Sequence, residues 1–75
     1  MSQTFTAVIQ REEDMFVALC PELDIASQGV SIAEARDNLK EAIELFLEEA
    51  SPAEILQRAH TEQYISSIEV AVAEA

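Results

Sequence analysis

Basic residues are nearly missing from this chain. Arg11, Arg36, Lys40 and Arg58 stand against fifteen aspartates and glutamates, a formal net charge of −11 over 75 residues. Binding dominated by nucleic-acid phosphates needs clustered lysine and arginine, and no such cluster exists, so direct nucleic-acid binding is not expected. Anionic membrane surfaces are disfavoured for the same reason. Cysteine occurs once, at Cys20, which excludes an internal disulfide. One cysteine with one histidine also falls short of the usual four-ligand structural zinc site. No apolar run is long enough to span a membrane. The N-terminus lacks the basic start and continuous apolar stretch of a secretory signal, so the expected compartment is the cytoplasm.

What is present is a change of period. Before Cys20 the apolar residues tend to alternate, as in strands, and after Gly29 they recur every three or four positions, as in a helix. The stretch between them, Cys20-Pro21-Glu22-Leu23-Asp24-Ile25-Ala26-Ser27-Gln28-Gly29, holds the only cysteine, the only glycine and one of the two prolines. Pro21 lacks a backbone donor, so a strand ending at Cys20 stops there or lies at an edge. Gly29 suits a turn with positive φ just before the helix. Ser31 is placed to cap that helix, with Glu34 three residues on completing a capping box.

Taken in order, Thr4–Gln10 reads as a half-buried strand with Phe5, Ala7 and Ile9 on one face, and Arg11–Asp14 as a polar turn. Met15–Cys20 is a second strand, apolar on both faces, and the short link makes the pair a hairpin. A short, edge-like third strand is expected around Leu23–Gln28. From Ile32 to about Ala50 the residues Ile32, Ala35, Leu39, Ala42, Ile43, Phe46 and Ala50 form one helical stripe. Ser51-Pro52-Ala53-Glu54 repeats the start signal of serine cap, proline at the first position and glutamate at the third, and opens a short second helix ending near Ala59. Ser67–Ala73 alternates again, with Ile68, Val70 and Val72 on one face, and reads as a fourth strand. The expectation is an α+β chain of order β-β-β-α-(short α)-β. It has a small mixed sheet packed on one long helix, all within one domain spanning residues 1–75. So short a chain buries only about 60% of its unfolded surface. Self-association as a homodimer or higher homo-oligomer is therefore expected to supplement the core.

The chain resembles the HicB family of small antitoxins. The resemblance lies in Ala7-Val8-Ile9, in Glu13-Asp14, in Val17-Ala18-Leu19-Cys20-Pro21-Glu22-Leu23 and in Ser27-Gln28-Gly29. It continues through Glu34-Ala35 and Leu39-Lys40-Glu41-Ala42-Ile43-Glu44, covering roughly residues 5 to 50. It implies a partial ribonuclease H fold of order β-β-β-α-β. The implied function is that of a type II antitoxin that silences a small basic HicA-like toxin, a ribonuclease that cleaves messenger RNA. Many HicB proteins carry a further DNA-binding segment. None is read in these 75 residues, and operator binding is not carried over. In place of the glycine common after the hairpin acids, this chain has Met15 and Phe16.

A ribonuclease-like fold raises the question of catalysis. Two-metal nuclease chemistry needs several carboxylates converging on one pocket. The first strand holds no acid, Glu69 lies opposite Ile68 and Val70, and the helix acids point away from the apolar stripe. No catalytic residue, metal ligand or cofactor site is assigned. Cys20 has apolar and acidic neighbours, which blunt a thiol, and reads as a buried small hydrophobe. His60 reads as a solvated loop residue. Glu34, Asp37, Glu41, Glu44 and Glu48 form an acidic face opposite the helix stripe. Such a run is either a solvated face or a surface for the basic partner, and these five are the candidate partner-binding residues. Leu45 falls outside the stripe and is the candidate oligomer contact. The alternative to an antitoxin is a stand-alone homo-oligomer without a toxin, or a small-ligand regulator.

Overall fold

A computed structural model describes residues 4–59 and 64–73. Its elements are β1 (Val8–Glu12), β2 (Met15–Cys20), β3 (Ile25–Gly29), α1 (Ile32–Glu49) and α2 (Pro52–Ala59). The strands form one antiparallel sheet of order β1-β2-β3. The fold is α+β, with the long helix packed on the sheet.

The hairpin turn is tighter than the polar run Arg11–Asp14 suggests. Arg11 pairs with Phe16 and Glu12 with Met15, leaving only Glu13 and Asp14 as the loop. Backbone pairing tolerates charged side chains at an exposed sheet end, which is why β1 runs on through Arg11 and Glu12. Glu13 takes a φ of 57°, and its carbonyl accepts from Arg11 Nε at 3.1 Å. Residues 4–7 precede β1 without joining the ladder. Phe5 and Ile9 reach the core as expected, but Ala7 is exposed. Pro21 ends β2 as its missing donor requires. Leu23 is not a strand residue; it drops from the turn into the core, and β3 starts two residues later.

Gly29 does not have the positive φ expected of it. It is the last residue of β3, and its role is to let the helix approach. A β-carbon there would lie 2.5 Å from the Ala35 nitrogen and 2.8 Å from the Glu34 carbonyl carbon. Two residues later Ser31 caps α1, its Oγ accepting from the Glu34 N–H at 3.0 Å. The return bond of the capping box is shifted by one residue. Glu34 Oε2 accepts from the Val30 N–H at 3.3 Å. The second cap is formed likewise, Ser51 Oγ accepting from the Glu54 N–H at 3.1 Å, with Pro52 as the first helical residue.

The register sends Phe16, Ala18 and Cys20 of β2 toward α1, where Ala18, Cys20, Leu23, Ala35 and Leu39 make the buried core. Ile43 and Phe46 pack against it half-buried, less completely than the stripe suggests, and Ile32 at the helix start is exposed. The reason is the position of the helix: α1 lies over β3 and β2 and barely meets β1. Met15, Val17 and Leu19 alternate onto the other side of the sheet, where Leu19 is exposed and Met15 and Val17 are half-buried.

The fourth strand is not formed. Residues 64–73 carry no regular secondary structure and pair with no strand among the described residues. The expected mixed sheet is therefore a purely antiparallel one of three strands. Alternation makes a segment ready to pair, but it does not provide the partner edge.

Candidate functional site

The candidate surface is the outward side of α1. Eighteen helical residues put positions 34, 37, 41, 44 and 48 within about 80° of arc, opposite the core-facing Ala35, Leu39 and Phe46. Glu34, Asp37, Glu41, Glu44 and Glu48 are all exposed. The lone ion pair among the described residues is Arg58–Glu54 on α2, at 3.4 Å. The five helix acids thus have no cationic partner within salt-bridge distance, although Glu34 is engaged by the Val30 N–H. No basic residue occupies the last turn of α1, where Glu48 and Glu49 stand against the negative end of the helix dipole. Like charges three and four apart also repel by a few tenths of a kcal/mol per pair. This face works against helix stability.

The five acids do not lie on identical ground. Glu44 borders an open groove of about 370 Å³ between α1 and residues 4–7. Phe5, Leu39, Ile43 and Leu47 supply its apolar wall, and Arg36 and Lys40 stand at its rim. Half of the chain's four basic residues therefore gather on this flank. Leu45 is 56% exposed and takes no part in the groove.

A second polar feature, not singled out from the sequence, centres on Glu22. Its Oε2 accepts from the Thr6 N–H at 2.9 Å and the Thr6 hydroxyl at 2.8 Å, and its Oε1 from the Cys20 thiol at 3.6 Å. Burial pushes the Glu22 carboxyl up, but these bonds and its own backbone N–H outweigh it and hold the carboxyl below its ordinary value. Cys20 is shifted the other way. Burial is the main cause, and the neighbouring Glu22 charge adds to it, so the thiol stays protonated above the usual cysteine range. That chemistry is structural: it pins Thr6, ahead of β1, to the β2–β3 turn.

Arg58 was also beyond the reach of local pattern. Its guanidinium donates to the Leu23 carbonyl and lies 5.1 Å from the Phe46 ring centroid, tying α2 to the core. On the sheet, Asn38 Nδ2 donates to the Gln28 carbonyl at 2.8 Å and fixes the helix to β3. No group of three or more His, Cys, Asp and Glu residues is placed to hold a metal ion among the described residues. No described helix is long and apolar enough to cross a membrane. His60 lies outside the described residues.

A UPF0150 protein of Helicobacter pylori is 40% identical to this chain over 68 residues, covering 89% of the chain and 94% of that protein. The chain belongs to the UPF0150 family. A second UPF0150 protein, from Synechocystis sp., is 45% identical over 51 residues, covering 65% of the chain and 71% of the relative. No family model matches the chain. No solved structure matches it either. The match to the Helicobacter protein takes in most of this chain, so membership extends well beyond the helix that carries the acidic face.

Proposed function

We propose that this UPF0150 protein is a non-enzymatic, HicB-like antitoxin of the cytoplasm. It masks a small basic HicA-like toxin by direct contact. The observation that carries the reading is the unpaired acidic side of α1, with Glu34, Asp37, Glu41, Glu44 and Glu48 exposed together. A face that costs helix stability and is not neutralised by ion pairs among the described residues suits an oppositely charged partner. The net charge of −11 acts in the same sense, by steering a basic protein toward it. The HicB-like motifs across residues 5 to 50 support the same assignment. Occlusion of the toxin surface, with charge complementarity setting the encounter, is the proposed mechanism.

The test is co-purification of this chain with the product of the adjacent open reading frame, followed by a translation assay for inhibition of that product. Complex formation and restored translation are expected. The variant Glu41→Lys/Glu48→Lys addresses the face directly. Glu44 is left intact because it also borders the groove. The variant folds at least as well, since it relieves like-charge repulsion and places a cation in the last helical turn. Its association with the toxin slows, and the salt dependence of the association rate shrinks. Unchanged association and inhibition by the folded variant would reduce this face to a solvated one.

A further inference from the structure

Residues 64–73 hold the alternation of a strand over Ser67–Ala73 and no partner among the described residues. Ile68, Val70 and Val72 alternate on one face and are 83%, 70% and 86% exposed. Such side chains are normally exposed singly, not as a row along an unpaired backbone. The chain has a radius of gyration of 15.2 Å, against about 11 Å for a compact chain of this length. The segment does not close onto its own sheet.

The sheet offers two edges, and they are not equivalent. On β3 the Gln28 carbonyl is already taken by the Asn38 amide. On β1 the hairpin end carries Arg11, Glu12 and Glu13, which guard it against strand addition. The other end of that edge, Val8 and Ile9, is uncharged, and residues 4–7, which precede the ladder, line the groove beside α1. Because α1 lies over β3 and β2, this flank of the helix has no strand beneath it. The groove wall of Phe5, Leu39, Ile43 and Leu47 is apolar, and Arg36, Lys40 and Glu44 border it. The free segment is apolar on one face and carries Glu69 on the other. The apolar face of the segment matches the apolar wall of the groove.

We propose that residues 64–73 of one copy add as a strand beside residues 4–9 of a second copy, seating Ile68, Val70 and Val72 in the groove against α1. The exchange is reciprocal, so the dimer closes and neither copy keeps an unpaired segment. Main-chain hydrogen bonds supply the pairing, and alternate side chains entering the groove set its register. The donor segment, the acceptor edge and the groove wall together approach the roughly 20–30 residues per side of a standard interface. This inference is independent of the antitoxin reading: it rests on residues 64–73 and the groove, and of the five helix acids only Glu44 borders that groove.

Sedimentation of the full chain at micromolar concentration should give a species of twice the 8.3 kDa chain mass. In a mixture of isotope-labelled and unlabelled copies, isotope-filtered NMR should show intermolecular contacts from the Ile68, Val70 and Val72 methyls to Phe5, Ile43 and Leu47. Val70→Pro removes a backbone donor and a seated side chain outside the buried core, and should abolish the dimer while retaining α1 and α2 by circular dichroism. A monomer, or a dimer whose filtered spectrum lacks those contacts, overturns the proposal. So does a Val70→Pro chain that remains dimeric. Should that variant fail to fold, the filtered contacts of the unaltered chain decide the matter alone.

Discussion

Thr6 gives both of its polar hydrogens to one oxygen of Glu22, the backbone N–H at 2.9 Å and the hydroxyl at 2.8 Å. The two residues are sixteen apart, and the contact holds the segment before β1 against the turn after β2. Because these bonds favour the charged carboxylate, Glu22 is held below its ordinary pKa. A lowered folded-state value stabilises the fold above the unfolded value, near 4.3 for glutamate, and that stability is lost as pH falls through the folded value. Glu22→Gln should therefore destabilise the protein at neutral pH. Hydrogen bonds to charged groups contribute about 1.5–3 kcal/mol, and the half-buried position puts the loss near the lower figure. The difference between the two proteins in urea unfolding should shrink below about pH 4 and vanish in stronger acid. A difference independent of pH would show that the charge is not what matters.

Gly29 is required by space and not by backbone conformation. Since its φ is not positive, alanine could adopt the same backbone, but its methyl group would meet the first turn of α1 at 2.5–2.9 Å. The closest of these atoms belong to the helix backbone and cannot swing aside. Gly29→Ala should cost about 1–3 kcal/mol, the usual penalty for overpacking. In a chain with so few buried side chains that is a large part of the stability. An unchanged urea midpoint would contradict the close approach.

Arg58 joins the β2–β3 turn, α1 and its own helix through one side chain. It donates to the Leu23 carbonyl, stacks on Phe46 and pairs with Glu54 within its own helix. The Glu54 pair is surface-exposed and contributes little. Losing the charge-assisted bond to the Leu23 carbonyl should cost about 1.5–3 kcal/mol in Arg58→Ala. The cost falls first on α2, whose eight residues are too few to hold a helix without packing. Thermal melts followed by circular dichroism should show an early loss of helical signal. Glu54→Gln, which breaks only the surface pair, should melt as the parent does.

Much of this architecture is legible in the chain because the governing interactions span only a few residues. Ser31 and Ser51 cap their helices through a donor three positions on, Pro21 ends β2 by a missing hydrogen, and the helical period sets the five acids opposite the core. Alternation likewise announces the strands. Its limits show at β1, where backbone pairing carries the strand two residues into what reads as a polar turn. The Glu22 anchor and the Arg58 tether join residues 16 and 35 apart in sequence, and no spacing rule reaches that far.

By itself, then, the sequence determined the helix starts, the order of the three strands and two helices, the charge of the outward helix face and the alternating pattern of Ser67–Ala73. Only the tertiary structure decided that Gly29 serves a close approach instead of a positive φ, that Leu23 belongs to the core, and that α1 sits over β3 and β2. That last placement leaves the groove beside β1 open. The physical reason is that a periodic pattern specifies which side of an element is apolar, whereas the surface that covers it depends on how elements distant in sequence are arranged. For Ile68, Val70 and Val72 the pattern is complete, and the chain's own sheet does not cover it.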